Sequence, residues 1–437
     1  MAEINHPKAP AKAPAKAPAK ASQSATFSPK HGKETPGHEK LLTTAELYLL
    51  DLECLKEMFD TVLPVLRQQD SDRWTRIKPI LDQAKRGKPL EANQVSNELV
   101  PSLRRLRRAE RLFRCEMVVS LISRCDEFLG SLLRIVFRER PEILKSKTKT
   151  ISYDELFALK SVDNAVTALV EKEVDDLMRG SKHEQLRYFD EKLKIGFKET
   201  FKGYNDLLEV AERRNLFVHT GGCVSQIYLD RCKEIGYQVD PKHIVGAKAG
   251  VPNEYFVNAF RLFFKAGLHI SQATFRRLFP TLVLEADKAL NHLAIALLNA
   301  QEWELAEYTA NFQIQMPENL RSTDVELYHY ALINRAIAQK RAGKDFEQSL
   351  SGPPWNLFHP KFRLALHVLR EEYIKAEKLA VNSEVVDSVE EDGFRYWPLF
   401  AEFRKTAEFA RAYEKAFGKP FTVSKADVEA ALVESGG

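Results

Sequence analysis

The segment Glu212-Arg213-Arg214-Asn215-Leu216-Phe217-Val218-His219-Thr220-Gly221-Gly222 breaks an otherwise regular helical pattern. Just upstream, Tyr204, Leu207, Leu208 and Ala211 recur at helical spacing and form an apolar stripe. Continued, that stripe calls for apolar side chains near 214, 215 and 218. The chain places Arg214 and Asn215 at the first two, and His219 lies four residues after Asn215, on the same helical face. Polar groups on a core-directed face are costly unless paired or open to a cleft or interface. A local break of this kind is where function is expected. Gly221-Gly222 is a natural helix stop, so a helix is expected over residues 204–219. Geometry alone leaves two readings open: a structural Arg–acid pair beside a satisfied histidine, or a functional constellation.

Outward from this helix, the pattern is helical almost everywhere. Thr43 followed by Glu46 matches a capping box. Leu47, Leu50, Leu55 and Met58 then predict an amphipathic helix. A shorter helix is expected over 71–84, interrupted at Pro79. A long helix is predicted from about Pro101 to Phe137, ending before Pro141. Two more are expected across 151–200, broken at Gly180-Ser181. A short helix over 223–236, an irregular stretch from Tyr237 to Pro252, and helices over 253–278 follow. Residues 41–100 either cover the 212–222 segment or complete its bundle.

The predicted helix from Pro101 carries Arg104, Arg105, Arg107, Arg108, Arg111 and Arg114, with Leu103, Leu106, Leu112 and Phe113 as its apolar side. It is either a positive strip for nucleic-acid phosphate or a solvated face paired with nearby acids.

The last third holds Ala294-x-Ala296 followed by Gln301 and Trp303, and Asn334-x-Ala336-x-Ala338 followed by Gly343 and Phe346. Small residues 42 apart, each followed by a turn and an aromatic, predict stacked helical hairpins over about 283–418. The aromatic segment Phe394 to Phe403 is a candidate cap.

Composition bounds the remainder. Scarce glycine (19 of 437) and segments rich in Leu, Ala, Glu, Lys and Arg favour an all-α chain. The best candidate for a membrane span, Met117 to Ile122, is flanked by Arg114 and Arg124 and falls far short of the ~20 residues required. No apolar leader core opens the chain, and the five cysteines (54, 115, 125, 223 and 232) show no close pair. A reduced, cytoplasmic protein with no membrane partner is expected. His219, Cys223 and Cys232 as metal ligands are disfavoured against ordinary thiols, because structural zinc needs four ligands at tighter spacing. No metal or cofactor is expected. The Lys-Ala-Pro repeats of residues 1–40 cannot bury a core and predict a disordered tail. Its seven lysines and three glutamates account for the whole net charge of +4, leaving 58 residues of each sign in the body. Any nucleic-acid contact of the body is therefore local. Three regions follow: the tail 1–40, a helical region 41–282, and a helical array 283–437.

The string Arg214-Asn215-x-x-x-His219, preceded by Glu212-Arg213 and followed by Gly221-Gly222, resembles the Arg-x4-6-His signature of the HEPN family. Arg124-Cys-Asp-Glu-Phe, Ile151-Ser-Tyr-Asp-Glu-Leu and the run from Glu171 to Ser181 resemble a bacterial branch of that family linked to mobile elements. The resemblance covers about residues 110–235. It implies a four- or five-helix bundle that forms a homodimer, in which two motifs meet to make one composite site. It also implies a metal-independent endoribonuclease in a toxin or anti-phage defence setting. The array resembles tetratricopeptide hairpins, which implies a regulator or protein partner bound there.

What the resemblance implies for chemistry is specific. A ribose 2′-hydroxyl attacks the adjacent phosphate, leaving 2′,3′-cyclic phosphate and 5′-hydroxyl ends on the RNA. An imidazole, ordinarily titrating near ~6.5, can take or give the proton; His219 holds that role. Arg214 would hold the phosphate, and Asn215 would orient the backbone or the imidazole. Arg213, six before His219, competes with Arg214 for the arginine role. Arg214 is preferred because Asn215 then completes the commoner Arg-Asn form. Glu212 would pair with either arginine or tune the histidine. The alternative implied by the same family is a non-catalytic scaffold that binds RNA or a protein.

Overall fold

The computed structural model describes residues 35–87, 99–145 and 152–422. Most of the tail, the link 88–98, the segment 146–151 and the C-terminal 423–437 lie outside the described residues. So does the disorder expected of residues 1–34. Among the described residues the chain is all-α, with only an isolated bridge between Cys223 and Lys248. No helix among them is long and apolar enough to cross a membrane.

Two long helices start the fold: α1 (Gly37–Lys85) and α2 (Leu99–Glu139). They run antiparallel. Tyr48 stacks on Phe128 with centroids 4.3 Å apart, Arg124 faces Asp51, Arg107 pairs with Asp70, and Arg73 donates to the Ser102 carbonyl. α1 begins at Gly37, inside the stretch read as tail, and it is continuous. Thr43 is therefore mid-helix rather than a cap, and no second helix starts at Ser71. Pro64 and Pro79 lie within α1 on its exposed side. There water can satisfy the carbonyl each proline leaves without a donor.

The buried stripe of α1 also differs from the expected one. Leu47 and Met58 are exposed, while Leu41, Tyr48, Leu49, Leu52, Phe59 and Leu63 are buried. The sequence offers apolar residues on two faces, and the aromatic-bearing face won because it meets α2 and α10. On α2, Leu103 and Leu106 are buried as expected, but Leu112 is exposed. Residues 41–87 thus complete the bundle.

Short helices α3 (Glu142–Lys145) and α4 (Tyr153–Ala158) precede α5 (Val162–Met178), α6 (Lys182–Leu193) and α7 (Phe197–Thr200). The expected break at Gly180-Ser181 is a full capping box: Ser181 accepts from the Glu184 N–H, and Glu184 accepts from the Ser181 N–H. Then come α8 (Tyr204–Thr220), which carries the motif, α9 (Gln226–Glu234) and α10 (Asn253–Leu278).

α10 is the spine of the molecule. Phe256, Phe260, Phe263, Phe264 and Phe275 are all fully buried. It passes so close to α1 that a Cβ on Gly267 would lie 2.1 Å from the Tyr48 ring. Glycine is needed there for approach, not for turning.

The rest is built of helix pairs: α11 (Val283–Asn299) with α12 (Trp303–Ile314), α13 (Val325–Arg341) with α14 (Glu347–Leu350), α15 (Pro360–Leu369) with α16 (Tyr373–Ala380), then α17 (Ser383–Tyr396) and α18 (Ala407–Phe417). Three turns share one geometry, with left-handed residues at Gln301 (φ 62), Gly343 (φ 71) and Glu371 (φ 60). Their intervals are unequal, because α14 is one turn long and an irregular stretch follows it. Ala294, Ala336 and Ala338 are buried between helices, whereas Ala296 faces outward. Phe394, Trp397, Phe400 and Phe403 are buried between α17 and α18, with Trp397 set edge-on to Tyr330 of α13.

The described residues from Gly37 to Thr422 form one unit with a continuous apolar core from Leu41 to Tyr413. Across the expected boundary at 282, Arg276 of α10 pairs with Asp287 of α11 at 2.6 Å, both buried, and Lys265 of α10 pairs with Glu304 of α12 at 2.6 Å.

Candidate functional site

The motif helix α8 is anchored by one buried acid. Glu209 accepts from Arg213 Nε on its own helix (2.7 Å), from the Tyr228 hydroxyl of α9 (2.7 Å) and from the Tyr255 hydroxyl of α10 (2.9 Å). The Arg213 guanidinium lies over the Tyr255 ring, 4.1 Å from its centroid. Burial works against charge on Arg213, but Tyr255 and Glu209 outweigh it and raise its pKa above the ordinary value. Burial first, then Glu209, raises both tyrosines. Three helices therefore meet on one neutralised pair.

This network separates the two arginines that the sequence left in competition. Arg213 is on the core side, where the apolar stripe continues through Val210 and Leu216. Arg214 leaves the core half-exposed. Its one hydrogen bond among the described residues is a long one, Nη1 to Asn215 Oδ1 at 3.3 Å, and its buried Nε has no partner. No carboxylate among the described residues pairs with it.

Glu212 does not pair with either arginine. It accepts from Arg231 of α9 at 3.0 Å and from Asn215 Nδ2 at 3.3 Å. Asn215 is held in place between Glu212 and Arg214. His219 is exposed, without a hydrogen-bond partner among the described residues. At about 100° per residue, Glu212, Asn215 and His219 share one face of α8, and Arg214 lies about 140° round the helix from His219.

The end of α8 is built to hold that face open. Gly221 (φ 58) and Gly222 (φ 80) take consecutive left-handed conformations, and the Gly222 N–H returns to the Leu216 carbonyl at 2.8 Å. The Thr220 hydroxyl is within reach of the carbonyls of Leu216 (2.9 Å) and Cys223 (2.7 Å). Residues 244–251 then brace the turn: Val224 N–H donates to Ala247 O, and Ala249 N–H to Gly222 O, both at 2.9 Å. Leu216, Val224, Tyr228, Cys232 and Ala249 form a small core of their own beneath it.

One arginine of α2 and a lysine of the irregular segment reach the same place. Arg111 Nη2 donates to the Gly221 carbonyl at 2.7 Å, and Lys248 Nζ donates to that oxygen at 3.2 Å. Arg104, Arg105 and Arg108 are exposed, without ion pairs among the described residues. Arg107 is paired with Asp70 at 3.0 Å and lies over Trp74. The expected strip is thus divided: Arg107 and Arg114 are neutralised, and Arg104, Arg105, Arg108 and Arg111 are not.

Several of these contacts had no sequence reading. Lys248 falls in the irregular stretch, where no periodicity points to it. Tyr228 and Tyr255 read as ordinary core aromatics. Glu209 did carry a signal, lying four residues before Arg213, the spacing of a helical ion pair. Among the described residues no three His, Cys, Asp or Glu side chains are grouped to hold a metal ion. Cys232 is fully buried, and burial first pushes its thiol up to about 11. No family model, curated protein or solved structure matches the chain.

Proposed function

We propose that the chain is a metal-independent endoribonuclease of HEPN type, acting as a homodimer, with residues 283–418 as a tetratricopeptide-like array that takes a regulator. One observation carries the reading. Of two adjacent arginines, Arg213 is consumed by Glu209, while Arg214 stands without a counter-charge among the described residues, beside an oriented Asn215 and on the same helix as an exposed His219. A half-buried, unneutralised guanidinium is costly in isolation and suits a phosphate.

In this reading the O2′ of the RNA attacks phosphorus while a histidine removes its proton. The bond from phosphorus to O5′ breaks, and a second histidine protonates O5′. The products carry 2′,3′-cyclic phosphate and 5′-hydroxyl ends. Arg214 balances charge building on the phosphate oxygens. The angle of about 140° between Arg214 and His219 leaves one chain poorly arranged to place both on one phosphate. A second copy supplies the missing groups. Exposed Val218, Ile227, Ile244 and Val245 around the end of α8 support such a contact. A toxin or anti-phage defence setting in the cytoplasm fits an activity that must be restrained.

A second reading, a non-catalytic scaffold that binds RNA or a protein, is favoured by one observation: nothing among the described residues of the single chain orients the His219 ring. Purified protein incubated with mixed RNA in EDTA separates the two. Cleavage by the wild type that falls at least about a hundredfold in His219→Ala and Arg214→Ala supports the nuclease. RNA binding without cleavage at any protein concentration supports the scaffold.

A further inference from the structure

A groove of about 670 Å³ runs between α2 and the segment before α10, lined by Arg67, Arg107, Glu110, Arg111, Arg114 and Asn253. The arginines of its floor have acidic partners, although two of them share one carboxylate. Glu110 pairs with Arg114 at 2.7 Å and faces Arg67 at 3.5 Å, and Asp70 takes Arg107. The cations with no acidic partner among the described residues are Arg111 at the groove's edge and its neighbours Arg104 and Arg108. These three follow the i, i+4, i+7 spacing of one helix face, a stripe about 10 Å long at ~1.5 Å per residue.

That stripe ends at Gly221, two residues from His219. There Arg111 and Lys248 both donate to a single carbonyl oxygen. Lys248 Nζ also lies 2.7 Å from the Cys223 sulfur. No carboxylate pairs with Arg111 or Lys248 among the described residues. The C-terminus of α8 contributes about half a negative charge, less than the two full positive charges that cover it. An anion therefore meets net positive potential where a helix end would otherwise repel it.

We propose that Arg111 and Lys248 clamp a phosphodiester of the RNA strand next to the one that is cleaved, with Arg108 and Arg104 continuing the track. This rests on the ribonuclease reading and adds to it a subsite for the flanking strand. The enzyme then prefers strands that extend past the cleaved linkage on one side. Each of these interactions is with a phosphate, so the subsite adds affinity without base preference.

The test is fluorescence anisotropy with a ten-nucleotide 2′-O-methyl RNA, which cannot be cleaved, across a salt series. The double variant Arg111→Gln, Lys248→Gln is expected to bind about tenfold more weakly. Its log–log salt slope should be shallower by roughly 0.7 for each phosphate that the variant no longer neutralises. Lys248→Arg should stay within about twofold of wild type, and thermal melting checks that the double variant is folded. A 2′-O-methyl dinucleotide with one phosphate should bind wild type and double variant alike. Equal affinity of the two proteins for the ten-nucleotide strand overturns the subsite and leaves the nuclease reading standing. Inorganic phosphate or a mononucleotide whose binding disappears in the double variant, with strand affinity unchanged, overturns it in favour of a free phosphate ligand. A wild type that binds no RNA overturns both readings.

Discussion

Arg213 Nε donates to Glu209 Oε1 at 2.7 Å with both side chains almost wholly buried, while Arg214, the next residue, has no acidic partner among the described residues. Breaking a buried pair leaves an unpaired charge and costs about 3–5 kcal/mol. Glu209→Gln and Arg213→Ala should therefore lower the denaturant midpoint strongly. Arg214→Ala should stay within about 1 kcal/mol of wild type. Urea unfolding followed by circular dichroism measures all three. Equal destabilisation by Arg213→Ala and Arg214→Ala would contradict this division of roles.

The turn after α8 depends on backbone that only glycine adopts freely. At Gly222, φ is 80°, and an added Cβ would sit 3.4 Å from the Ala249 carbonyl oxygen. Gly222→Ala should cost about 1–2 kcal/mol and loosen residues 244–251, which bond to this turn. Hydrogen exchange at the amides of Val224 and Ala249 should quicken in the variant. Unchanged exchange there would show that the loop is held by its own small core alone.

Stability should fall with rising pH through one group at the meeting of α1 and α12. Burial, then the neighbouring Glu302, pushes the Glu53 carboxyl up to about 7, with Lys56 opposing. The folded chain thus keeps a proton that the unfolded chain releases near ~4.3. Folding is favoured most below that unfolded value. The advantage is lost between ~4.3 and about 7, and above that the cost stays constant. Glu53→Gln should flatten the melting temperature against pH from 5 to 8 and raise it at pH 8. Parallel curves for the two proteins would refute the assignment.

The helical array is expected to be inseparable from the front of the molecule. α10 gives Lys265 to Glu304 and Arg276 to Asp287, and the apolar core is continuous across residue 282. A chain ended after Phe279 strands those charges and bares apolar surface. It should aggregate or melt well below the intact protein. A truncated chain that melts cooperatively at the intact temperature would show the two parts to be independent.

The legibility of this chain depends on its punctuation. Gly180-Ser181, Gly221-Gly222 and Pro141 mark real helix ends, because each imposes a backbone geometry or removes a donor. Pro79 misleads, since a helix packed along α2 tolerates proline on its wet side. On α1 the spacing of apolar residues points to the wrong face, because Leu47 and Met58 recur as regularly as Tyr48 and Phe59, and only tertiary contact decides between them. At the site, the apolar stripe points to 214, 215 and 218, but the core side runs through Val210, Arg213 and Leu216, and Val218 is exposed. The division of labour between Arg213 and Arg214 is not visible in the sequence, because it depends on Tyr228 and Tyr255, which reach Glu209 from other helices. Lys248 arrives from an irregular segment and leaves no local trace.

The chemistry of the cut ends tests attack by the 2′-hydroxyl most directly, on a short RNA with one deoxyribose at the preferred cleavage position. Wild-type protein in EDTA should cut the all-ribose strand to 2′,3′-cyclic phosphate and 5′-hydroxyl ends and leave the singly substituted strand intact. Cutting of both strands, or products with 5′-phosphate ends, would contradict attack by the 2′-hydroxyl and with it the roles given to His219 and Arg214.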